Sequence, residues 1–145
     1  MKKRGTGIFI ASTGQHIGKT TTCLGLFSGL VKRTRKTAFM KPVGQEYVEV
    51  QQGCRVDKDA YLFREQFSLT DPYDCMSPVL FPRGFTKNYI DEKVSVSFLK
   101  ESIQQSYRCL QESSEVVLAE GTGHVGVGSI ADIDNAVVAG MLGLP

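Results

Sequence analysis

A chain of 145 residues with 41% apolar side chains is long enough to bury the core of one compact domain. Its net charge of +2, from 17 basic and 15 acidic residues, argues against a nucleic-acid or polyanion binder. No apolar run approaches membrane-spanning length, and the one following Lys2, Lys3 and Arg4 is too short for a signal peptide, so a cytoplasmic location is expected.

The first element is an apolar run over residues 7–11, expected as a buried strand. A loop with Gly14 and Gly18 follows, and Gly18-Lys19-Thr20 opens a helix expected over residues 19–32. Strand, glycine-containing loop and helix in this order form a phosphate-binding loop, in a variant spacing Gly14-x-x-x-Gly18-Lys19-Thr20. The helix dipole and the backbone N–H groups of Gly14, Gln15, His16, Ile17, Gly18, Lys19, Thr20 and Thr21 then point at an anion. Lys19 is placed to reach terminal phosphates, and Thr20 to offer its hydroxyl to a magnesium ion. Partition-type ATPases carry a lysine where this loop has Gly14, so that class does not fit. Leu24, Phe27, Leu30 and Val31 are expected on one helical face, and Gly25 and Gly29 against the sheet.

Residues 37–40 form a second short strand, and Pro42 breaks it so that Lys41 stands at its C-terminal tip. That edge is where ligands bind in open α/β sheets. Asp57 is an N-cap for a helix whose first turn holds Asp59. Residues 68–88, with Asp71-Pro72, Ser77-Pro78 and Phe81-Pro82, are expected as a long irregular excursion. A helix over residues 92–112 presents Leu99, Ile103, Tyr107 and Leu110 along one stripe. The run Val116-Val117-Leu118-Ala119 is a central strand of a parallel sheet, with Glu120 at its tip as a second magnesium-site acid. The glycine-rich residues 121–129 come next, able to respond to phosphate state. The last helix begins near Asp132 and packs Ile133, Ala136, Val137, Gly140 and Met141 before Gly143 and Pro145 end it.

Cys23, Cys54, Cys75 and Cys109 show neither a Cys-x-x-Cys pair nor metal-ligand spacing, so free thiols are expected, with Cys23 buried. His16 and His124 have no partner at metal-ligand spacing. The β-α-β-α-β-α order predicts an α/β fold, a P-loop NTPase with a parallel β-sheet flanked by helices, in a single domain over residues 1–145. Such a sheet enters another strand after Pro145, so the expectation is a chain whose C-terminal strands are missing.

These motifs resemble the dethiobiotin-synthetase superfamily, which includes cobyrinic acid a,c-diamide synthases. The resemblance runs from about Gly7 to the last residue. It rests on the loop from Gly14 to Thr20, on Lys41-Pro42-Val43, on Asp59-Ala60 and on Glu120-Gly121-x-Gly123. Lys41-Pro42-Val43-Gly44-Gln45, Glu120-Gly121-Thr122-Gly123-His124 and Asn135-Ala136 are closer to two subsets. These are stand-alone dethiobiotin-synthetase-like ATPases and the nucleotide-binding domain at the front of some phosphotransacetylases.

The resemblance implies ATP and Mg2+ as cofactors and a small-molecule substrate, with Lys19 on the phosphates and Thr20, Asp59 and Glu120 around the metal. It gives Lys41 the stabilisation of charge as a carboxylate or carbamate attacks the γ-phosphate; a nitrogen nucleophile then displaces the resulting acyl phosphate. Lys19, Lys41 and Glu120 are thus the catalytic candidates. True dethiobiotin synthetases have a small hydroxyl residue in place of Gln45 and Ala-Gly around Gly123, which leaves the acceptor open. Three alternatives remain: an ATP-dependent synthase, a nucleotide-sensing regulatory domain without a substrate of its own, and an inactive remnant. A homodimer, or a partner chain supplying the missing strands, completes the expectations; neither nucleic acid nor membrane is among the expected partners.

Overall fold

The computed structural model describes residues 5–14, 16–81, 95–123 and 128–145, apart from the Ile130 side chain. Three parallel strands form its centre, in the order β1 (Thr6–Ile10), β7 (Val116–Glu120), β2 (Thr37–Met40). The register pairs Ile8 and Phe39 with Leu118, and Ile10 with Glu120, so all three strands end at one edge. α1 (Lys19–Leu30) links β1 to β2 while β7 fills the space between them. Parallel strands need such a crossover.

Because strand side chains alternate between faces, the continuous apolar strands feed two separate cores. Val117 and Ala119 of β7, with Ala38 and Met40 of β2, meet Leu99, Ile103, Tyr107 and Leu110 of α4 (Val96–Ser113). Leu118 and Phe39 point the other way, into Cys23 and Phe27 of α1 and Ala60 and Phe63 of α2 (Lys58–Phe67). The Phe39 and Phe63 rings stack there, 3.7 Å apart at 10°, and Phe27 meets Phe63 edge-on at 5.3 Å. Aromatic pairs of this kind add roughly 1 kcal/mol beyond the area they bury.

Between β2 and α2 the chain forms β3 (Val43–Gly44) and an antiparallel hairpin, β4 (Tyr47–Glu49) with β5 (Arg55–Asp57), in which Val56 and Asp57 are buried. Its turn over Gln51–Gly53 holds Gln52 and Gly53 at positive φ. Of the expected excursion, residues 68–81 are ordered into α3 (Tyr73–Met76) and β6 (Val79–Leu80), the latter parallel to β3. The remainder of that excursion, and the start of the expected helix at residues 92–94, lie outside the described residues.

Several expectations need correction. Gly25 and Gly29 do not face the sheet: a Cβ at Gly25 would meet nothing within 4 Å, and one at Gly29 only the end of Arg33. The buried positions of α1 are Cys23 and Phe27, while Val31 is exposed. The last helix, α5 (Asn135–Leu142), starts later than Asp132, with Asp134 accepting from the N–H groups of Ala136 and Val137. Val138 and Asn135 are its buried residues, whereas Ala136 and Gly140 face outward. Cys75 and Cys109 are joined in a disulfide between α3 and α4, their Cα atoms 6.4 Å apart, so not every thiol is free. Spacing along the chain gave no sign of it, since the two residues meet only when α3 lies across α4. Cys23 and Cys54 are free, the first buried as expected.

Candidate active site

The shared strand edge brings four separated parts of the sequence together. Glu120 ends β7, Lys41 follows β2, Lys19 and Thr20 open α1, and Asp59 lies in the first turn of α2. One oxygen of Glu120, Oε1, accepts from Lys19 Nζ at 3.0 Å, Thr20 Oγ1 at 3.0 Å and Lys41 Nζ at 2.9 Å. Lys41 Nζ also donates to Asp59 Oδ2 at 2.8 Å. The expected catalytic set of Lys19, Lys41 and Glu120 thus forms one ion-pair network, to which Thr20 and Asp59 belong.

The Lys41 backbone is fixed from outside the strand, its N–H donating to Met76 O of α3 at 2.7 Å. Ser77 Oγ accepts from the Asp57 N–H at 2.9 Å, so the α3 segment holds both walls of the site.

Burial makes these charges strong neighbours. Burial alone would push the Lys41 ammonium down, but the carboxylates of Glu120, Asp59 and Asp57 outweigh it and hold it above its ordinary value. Burial likewise works against an ionised Glu120, yet Lys41 and Lys19 keep its carboxyl below the usual range. Asp57 goes the other way: burial pushes it up to about 6, against the pull of Lys41 and its two backbone hydrogen bonds. Burial pushes the Cys23 thiol up to about 12, with the nearby Glu120 charge adding to it. A pKa so high marks an unreactive thiol.

The phosphate loop lies across the mouth of this network. Gly18 is the N-cap of α1 at φ 89°, a left-handed conformation that favours glycine, and no side chain caps the helix. With no acidic residue in its first turn, the positive helix end is left to an outside anion. His16 is exposed at φ 55°. Gln15 and His124 lie outside the described residues. A cavity of about 360 Å³ opens over the loop, bounded by Gly14, Gly18, Lys19 and Thr20 on one side and Lys41 and Asp59 on the other. Ile17, Thr21 and Gln45 also line it, so the expected loop residues within the description share one space.

Further residues contribute to the site, of which only Asn135 belonged to a motif already quoted. Lys58 forms an ion pair with Glu46 at the rim of the cavity, and Asp57 lines the cavity while capping α2. Asn135 buries its amide on Thr122: Oδ1 accepts from the Thr122 N–H at 2.8 Å, and Nδ2 donates to Thr122 O. The alternation Asp57-Lys58-Asp59 was the available signal for Lys58 and Asp57. Among the described residues no three His, Cys, Asp or Glu side chains gather as a metal cluster. Asp59 and Glu120 are the two carboxylates of the expected shell, bridged by Lys41.

A family profile described as an AAA domain matches residues 6–145. The chain is 24% identical over 119 residues to the ATP-dependent dethiobiotin synthetase of Clostridium kluyveri, covering 82% of this chain and 49% of that one. It is 26% identical over 140 residues to the same-named protein of Xylella fastidiosa, covering 97% of this chain and 62% of the other. Phosphate acetyltransferase of Synechocystis matches 97% of this chain at 23% identity, but only 19% of its own length is involved. The chain therefore spans about half the length of the dethiobiotin synthetases it matches. Taken with the loop, the strand-tip acid and the parallel sheet, the match over residues 6–145 shows that the chain belongs to the AAA domain family, as a P-loop domain of the dethiobiotin-synthetase type.

Proposed function

We propose that this domain binds ATP with magnesium and activates a carboxylate-like group by phosphoryl transfer. The observation that carries the reading is the convergence of Lys19, Lys41 and Thr20 on one buried oxygen of Glu120, at 3.0 Å or less, beside an uncapped helix N-terminus. Phosphoryl transfer needs charge neutralisation and positioning more than covalent help. Two ammonium groups anchored at one strand edge supply the first, and the loop amides supply the second.

Thr20, Asp59 and Glu120 are the residues that would hold the magnesium ion. The donor chemistry suits it, because Glu120 Oε2 is buried without a hydrogen-bond partner. Bound there, the ion would neutralise phosphate charge. Lys19 then turns from Glu120 to the terminal phosphates. Lys41, held from behind by Asp59, faces the charge that grows as the acceptor oxygen approaches phosphorus.

A second reading, a nucleotide-sensing domain without its own substrate, is favoured by the phosphate acetyltransferases, in which the similar segment is a small part of a longer protein. Titration calorimetry with ATP in the presence and absence of magnesium, followed by phosphate release with carboxylate acceptors, separates the two. Acceptor-stimulated release that Lys41→Ala lowers at least a hundredfold is the expected result. Tight ATP binding with no acceptor response selects the sensor, and no ATP binding at all sinks both.

A further inference from the structure

Resting on the nucleotide reading above, we infer that Asn135 is a positioning residue, whose side-chain amide fixes the Thr122–Gly123 backbone where the terminal phosphate is received. Glu120 ends β7, and the Gly121 N–H makes one further bond, to Ile10 O of β1 at 2.9 Å. One residue later, a side chain takes the place of a neighbouring strand. Asn135 Oδ1 accepts from the Thr122 N–H at 2.8 Å and from Thr122 Oγ1 at 3.1 Å, and Nδ2 donates to Thr122 O at 3.3 Å. A carboxamide offers the same donor and acceptor as a peptide group, so it pairs with both backbone groups of Thr122 at once.

α5 itself does not need this amide. The preceding residue, Asp134, caps the helix by accepting from Ala136 and Val137, and Val138 anchors it in the core. The close approach depends on Gly121, because a Cβ there would lie 2.5 Å from Asn135 Oδ1. Asn135 and Thr122 are both buried, so losing the amide leaves Thr122 without these partners and without ready access to water. Thr122 and Gly123 line the cavity over the phosphate loop, as do Lys19 and Thr20. They follow closely on Glu120, whose Oε1 accepts from both Lys19 and Thr20. The wall they form therefore borders the part of the cavity where the terminal phosphate and its cation are read. A residue that merely stabilised the fold would affect every ligand alike. A wall set against the terminal phosphate acts on triphosphates and spares a diphosphate.

The test is equilibrium binding of ATP, ADP and inorganic tripolyphosphate, with magnesium present, to the 145-residue chain and three variants. Asn135→Ala removes the amide. Asn135→Ser does the same with a residue suited to the start of a helix, should the alanine chain prove unstable. Val138→Ala is the control, since it loosens the same helix in the core without touching Thr122. Each Asn135 variant should weaken ATP and tripolyphosphate about tenfold and leave ADP within about twofold, the scale of one hydrogen bond to a charged group. Val138→Ala should lower the melting temperature and keep the ratio of ATP to ADP affinity. An unchanged ratio in the Asn135 variants overturns the inference and leaves the nucleotide site standing. So does a Val138→Ala chain whose ratio falls as far as theirs, because stability would then explain the effect. Failure of the unaltered chain to bind ATP or tripolyphosphate overturns the nucleotide reading itself, and the inference with it.

Discussion

Glu120 and Asp57 are buried carboxylates of one site, yet their surroundings drive them in opposite directions. Two lysines reach Glu120 and outweigh its burial, whereas Asp57 has two backbone N–H donors and only the more distant charge of Lys41. Glu120 therefore contributes stability that is present above its ordinary pKa and lost as pH falls through the lowered folded value. Asp57 has the reverse sign. Between its ordinary 3.8 and its folded value of about 6, the folded chain keeps a proton that the unfolded chain has already released. Its contribution to stability thus falls as pH rises through that window, by up to about 3 kcal/mol. Asp57→Asn keeps the capping acceptor and removes the titration. Urea unfolding of both chains across the pH range should show the variant gaining on the wild type between about pH 4 and pH 6, with a constant difference above about pH 7. A difference that does not change with pH would show that Asp57 titrates normally.

At the level of elements, α1 is both the most legible and the most misleading. Gly18-Lys19-Thr20 after an apolar strand fixed where the helix starts, because the loop chemistry needs those residues in that order. Its buried face was not legible: Leu24, Phe27, Leu30 and Val31 are all apolar, and only contact with β7 selects Phe27 together with Cys23. Gly25 and Gly29 consequently sit in open positions of a regular helix. Alanine at both should stabilise the chain by about 1–2 kcal/mol in total, raising the melting temperature by roughly 3–6 °C. Thermal unfolding followed by circular dichroism checks this, and a fall in melting temperature would mean that the face is covered in solution. Gly121→Ala is the contrasting case, since its Cβ would come within 2.5 Å of Asn135 Oδ1 and 3.0 Å of the Phe9 ring. The α4 stripe and the β7 run were legible from period alone, as was the Asp57 cap from residue type. The β4–β5 hairpin and the two-residue pairing of β3 with β6 were not, because strands this short leave no period to read.

For the whole molecule, the strand edge collects the site, and α3 ties that edge to α4 on one sheet face. Met76 O holds the Lys41 backbone and Ser77 Oγ holds that of Asp57, while Asp74 O accepts from Ser106 Oγ and Cys75 is bonded to Cys109. α3 itself is only four residues long and cannot persist alone. The cross-link closes a loop of 34 residues, for which the chain-entropy argument gives roughly 3–4 kcal/mol of stabilisation. Reduction should therefore lower the melting temperature by about 10 °C. The same treatment should weaken tripolyphosphate binding, because Lys41 then loses a fixed backbone anchor. The variant carrying both Cys75→Ser and Cys109→Ser should melt at the reduced temperature with or without reductant, which separates the bond from any effect at Cys23 or Cys54. If the oxidised and reduced chains melt together, α3 is held by its hydrogen bonds and the packing of Met76 alone, and the disulfide has no part in positioning Lys41.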